Sequence, residues 1–81
     1  MSITETEFTK LDLNSKFELL SNKGLFVGNR VYYNHRVNLY SVNGYFVEVH
    51  YSPEANEIDA IDVVDAERVI NGYQNRITLK F

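Results

Sequence analysis

The chain has 81 residues, 44% of them apolar and 14% aromatic, with no Trp and no Cys. That length holds one domain with one modest core, the composition is that of a folding chain, and the lack of cysteine excludes disulfides and thiolate metal sites. Net charge is −3. It is unevenly spread, with five basic against four acidic side chains in residues 1–40 and three against seven in residues 41–81. No basic footprint for a phosphate backbone exists, so direct nucleic-acid binding is not expected.

Residues 1–13 show no clear periodicity and are expected to form a loose arm of the single domain 1–81. Ser15-Lys16-Phe17-Glu18 has the form of a capping box, in which the Ser hydroxyl accepts the Glu18 N–H and Glu18 reaches back. Phe17, Leu20 and Leu19 follow as an apolar stripe, and Lys23-Gly24 fits a helix end with a left-handed glycine. A helix of about two turns is predicted.

The chemistry then turns to β. Runs 25–33, 36–42, 45–51 and 57–63 are rich in Val, Ile, Tyr and Phe, and turn residues separate them: Asn34-His35, Asn43-Gly44 and Ser52-Pro53-Glu54-Ala55-Asn56. Connections this short join only antiparallel neighbours, so strand order should follow chain order. At the middle turn, a two-residue loop would set Leu39 against Glu48 and Val37 against His50. A three-residue loop, Val42-Asn43-Gly44, sets Leu39 against Val47 and Val37 against Val49, leaving one face apolar. The segregated face favours the odd-length loop. Beyond Val63, Asp65 can cap a helix carrying Ala66, Val69, Ile70, Tyr73 and Ile77 at helical spacing, expected through about Asn75. The alternative is a short helix followed by a strand from Arg76 to Phe81, where Ile77, Leu79 and Phe81 alternate. The resulting fold class is α+β in two layers: short N-terminal helix, four-stranded antiparallel meander, C-terminal helix.

No phosphate-binding glycine loop, nucleophile elbow or paired-histidine metal helix is present. His35 falls in a turn. His50 shares its expected sheet face with Glu48 and Tyr40, a set that can in principle move a proton or hold a metal but lacks a nucleophile and completing ligands. Asp59, Asp62 and Asp65 lack the glycine and terminal carboxylate of a calcium loop. No catalytic residue, metal site or cofactor is therefore assigned. Arg30, Tyr32, Asn38, Tyr40, Phe46, Glu48 and His50 form a candidate partner surface, because Tyr and Arg join contact area to hydrogen bonding. Glu54, Glu57 and Asp59, within the acidic stretch ending at Glu67, suit a basic protein partner. No apolar run approaches the ~18 residues of a membrane span. The polar opening, residues 1–10, argues against a secretory signal, which makes the cytoplasm the expected compartment.

Arg36-Val37-Asn38-Leu39-Tyr40, Gly44-Tyr45-Phe46-Val47-Glu48-Val49 and Tyr51-Ser52-Pro53-Glu54-Ala55-Asn56-Glu57-Ile58 resemble short uncharacterised bacterial proteins with a VNLY strand, a YFVEV strand and a PExN turn. The resemblance covers about Phe17 to Val63. It implies a helix-plus-meander fold and brings no activity with it. By elimination the expected function is a non-enzymatic protein-binding module, such as an inhibitor, immunity or adaptor protein. One version is a mobile-element protein that blocks a nucleic-acid-handling bacterial effector. The alternatives are a homodimeric structural domain, and a small enzyme or metal protein using His50 and Glu48.

Overall fold

The computed structural model describes residues 3–73. Its elements are α1 (Glu5–Thr9), α2 (Leu13–Lys23), β1 (Leu25–Tyr32), β2 (His35–Val42), β3 (Tyr45–Ser52), β4 (Glu57–Val64) and α3 (Ala66–Tyr73). The strands form one antiparallel sheet in the order β1-β2-β3-β4. The α+β class and the meander follow the sequence expectation. Helices cover both faces, however. Phe8 of α1 and Leu20 of α2 pack with Val42, Tyr45, Val47, Val49 and Ile61, whereas Val69 of α3 packs with Leu39 and Val64 on the opposite face. The expected two layers are therefore three.

The N-terminal segment is not a loose arm. Thr4 and Glu7 make a reciprocal capping box, with the Glu7 N–H donating to Thr4 Oγ1 at 3.1 Å and the Thr4 N–H donating to Glu7 Oε1 at 2.9 Å. That box starts a helix of five residues, long enough to drop Phe8 into the core at 0% exposure. Helix α2 likewise begins earlier than the Ser15 box suggests. Asp12 is its cap, accepting the Ser15 N–H at 2.8 Å. The hydrogen bonds from Ser15 hold the Asp12 carboxyl below the usual carboxylate range.

Gly24 ends α2 with extended angles (φ −77°, ψ 149°), not the expected left-handed ones. Its glycine is required for a different reason. A Cβ there would lie 2.7 Å from the Leu20 carbonyl oxygen and 3.2 Å from Leu20 Cδ2. Gly24→Ala is accordingly expected to lower stability by ~1–3 kcal/mol. An unchanged urea midpoint would show that the helix end moves aside at no cost.

The odd-length loop is also overturned. Val42 pairs with Tyr45, so Asn43 (φ 48°) and Gly44 (φ 85°) form a two-residue turn with both residues at positive φ. That is the primed turn which Asn-Gly favours, because its twist matches that of the flanking strands. Leu39 therefore opposes Glu48, and Val37 opposes His50. The first turn is Tyr33-Asn34 and not Asn34-His35. Tyr32 pairs with His35, and Tyr33 sits at φ 56°. In the third turn Asn56 is left-handed (φ 55°), and Asp65 does cap α3 by accepting the Arg68 N–H at 2.8 Å. The proposed strand from Arg76 to Phe81, and any helix beyond Tyr73, lie outside the described residues. Among the described residues no helix is long and apolar enough to cross a membrane.

Candidate functional site

The register decides which of the singled-out residues meet. Arg30 of β1 opposes Val37, which opposes His50, and Leu39 opposes Glu48. Directly opposed residues share a sheet face. Arg30, Tyr32, Phe46, Glu48 and His50 therefore stand on the α3 face. Asn38 opposes Val49 and Tyr40 opposes Val47, which places both on the α1/α2 face. The single patch expected from the sequence is split between two faces. Glu54 is exposed in the β3–β4 turn, Glu57 opens β4, and Asp59 meets His35 Nε2 at 2.5 Å.

On the α3 face the chemistry centres on Glu48, whose side chain is 1% exposed. Arg30 reaches over β2 and donates from Nε and Nη2 to Glu48 Oε2 at 3.4 and 3.3 Å. Arg68 of α3 brings Nε to 3.7 Å from Oε1, and His50 Nε2 also lies 3.7 Å from Oε1. Arg30 in turn rests against the Tyr32 ring, 5.3 Å from its centroid. Such a cluster ties β1, β3 and α3 together. A carboxylate so enclosed is poorly placed to touch a substrate or a partner. Among the described residues no group of three or more His, Asp or Glu side chains could hold a metal ion.

The α1/α2 face holds a different feature. Helix α2 lies over the sheet beside β2 and β4 and leaves a cleft of about 130 Å³ lined by Phe17, Leu20, Tyr40, Val49, Tyr51 and Ile58, with Asn38. The cleft opens into a wider depression of about 390 Å³ that shares Phe17, Tyr51 and Ile58 with it and adds Leu13, Asn56 and Glu57. Leu13 and Phe17, one turn apart on α2, are 39% and 49% exposed. Tyr51 donates its hydroxyl to Asn56 Oδ1 at the rim. Tyr40 packs edge-on against Phe26 of β1, with centroids 5.7 Å apart, and so extends the aromatic surface toward the sheet edge.

Of the singled-out residues, Asn38, Tyr40 and Glu57 belong to this cleft. Leu13, Phe17, Tyr51 and Ile58 join them without a sequence expectation that sets them on a common surface. A helix begun at Ser15 hides the Leu13/Phe17 pair, and the odd-length loop places Tyr40 on the face opposite Tyr51. A signal did exist in the Asp12 cap, since a start there puts Leu13, Phe17 and Leu20 on one stripe.

Fold and cleft together define a small α+β domain in which a helix-flanked antiparallel meander leaves one aromatic groove open. Comparison of the chain with family models, curated proteins and solved structures yields no match.

Proposed function

We propose that this domain is a small non-enzymatic protein-binding module. Its contact surface is the groove between α2 and the sheet, and its occupant is a peptide segment carrying a large apolar side chain beside Lys or Arg. The observation that carries this reading is the groove's construction. Phe17, Tyr40, Tyr51 and Ile58 form an apolar floor, and exposed Glu57 stands at its edge. Aromatic anchors in a partly desolvated pocket supply most of the energy in protein contacts, while a rim charge sets the on-rate and the sign of the partner. An inhibitor, immunity or adaptor role, including blockade of a basic nucleic-acid-handling bacterial effector, fits such a surface. The enclosure of Glu48 by Arg30 supports the non-enzymatic part of the reading.

Selection from a displayed library of random dodecapeptides tests this. Selected peptides should pair a large apolar residue with a basic one and shift the amide resonances of Phe17, Tyr40, Tyr51 and Ile58. Phe17→Ala should weaken them at least tenfold, and Glu57→Lys should slow their association at low salt. Binding that ignores both substitutions in a folded protein would sink the proposal.

A further inference from the structure

The two edges of the sheet are built differently. Strand β4 exposes Glu57, Asp59 and Asp62 along one edge. Charges of one sign there repel another copy of the same strand, a common protection against edge-to-edge pairing. Strand β1 forms the other edge, with no strand beyond it among the described residues. Its single charge, Arg30, is engaged by Glu48. Apart from exposed Asn29, the outward surface is largely apolar: Leu25, Phe26, Val31 and Tyr32 are more than half exposed, and Tyr33 at the turn is 83% exposed. A register shift between Phe26 and Gly28 breaks the strand, so residues 28–32 are its regular part.

We infer that β1 is a self-association edge that pairs antiparallel with β1 of a second copy to form a continuous eight-stranded sheet. A two-fold pairing of this kind is isologous: the same patch serves both copies, and each exposed apolar side chain counts twice. At ~150–250 Å² for a large side chain, the five residues present roughly 600 Å² per copy. Full burial of all five on both copies sets an upper bound of roughly 1,200 Å², the lower limit for a specific interface. The area is too small for an obligate dimer and large enough for a concentration-dependent one. Leu25, Val31, Tyr32 and Tyr33 line neither the cleft nor the depression beside α2, although Phe26 packs against Tyr40 of the cleft. The inference does not rest on the reading given for the groove.

Light scattering over a dilution series tests the edge, starting from several hundred micromolar. The mass should approach twice 9.4 kDa at the top of the series and fall to the monomer on dilution. Val31→Lys should shift the midpoint at least tenfold toward higher concentration, and so should Leu25→Lys, the second variant in case the first fails to fold. Amide exchange along β1 should slow with concentration while β4 stays unchanged. A monomer at every concentration would overturn the inference. So would a dimer indifferent to both lysines, or one broken only by Asp59→Lys. A monomer whose β1 amides are protected at every dilution would overturn it too, by placing another segment of the same chain on that edge.

Discussion

Replacing Phe8 with Ala is expected to lower stability by ~3–5 kcal/mol, about as much as a core of this size supplies in total. Phe8 is 0% exposed and joins the larger of the two core clusters. Its ring meets Tyr45 edge-on at 5.9 Å, and the Lys16 ammonium lies 5.8 Å from its centroid. Helix α1 is too short to persist in water alone, so it exists because Phe8 is docked. Without the ring, α1 should detach and uncover Tyr45. That hydroxyl, which donates to the Ile3 carbonyl at 3.1 Å, titrates above the ordinary tyrosine value. Burial is the main cause, and the Glu5 and Glu7 charges add to it. Urea unfolding followed by far-ultraviolet dichroism measures the loss, and Phe8→Leu, which refills most of the volume, should recover more than half of it. A loss under ~1 kcal/mol for Phe8→Ala would mean that α1 is not part of the folded core.

Phe8 also shows where sequence reasoning ran out. The Thr4/Glu7 box is visible in the chain, but five helical residues carry too few apolar positions to show a period. The strands and their order were legible because Asn-Gly, Pro-Glu-Ala-Asn and the Val- and Tyr-rich runs mark them locally. The register was not, although the Asn43-Gly44 dipeptide favoured the two-residue turn. Alternation fixes a register only where one sheet face meets water. With α1 and α2 on one face and α3 on the other, β3 buries Tyr45, Val47 and Val49 on one side and Glu48 on the other. A sheet covered on both faces need not segregate polar from apolar residues. The odd-length register scattered the site: it grouped Tyr40 with His50 and separated Tyr40 from Tyr51.

The buried carboxylate of Glu48 should be the most sensitive polar position among the described residues. Glu48→Ala is expected to destabilise the fold by ~3–5 kcal/mol, because removing one member of a buried ion pair leaves its partner's charge uncompensated. Here the effect is compounded, since Arg30, at 16% side-chain exposure, Arg68 and His50 all approach the same carboxylate. Taking it away removes the negative charge that both guanidiniums approach. The partners should not respond equally. Arg68 is 60% exposed, so Arg68→Ala should cost no more than ~1 kcal/mol, whereas Arg30→Ala should approach the loss seen for Glu48. Charge and packing are separable with the double variant Arg30→Met/Glu48→Met, which removes both ions and keeps the volume. If uncompensated charge dominates, the double variant should be more stable than Glu48→Ala alone. Urea midpoints for the four variants and the native chain decide the matter, provided their m-values agree. Equal stability of Glu48→Ala and the native chain would show that the carboxylate contributes nothing to folding. A double variant no better than Glu48→Ala would assign the loss to shape rather than charge.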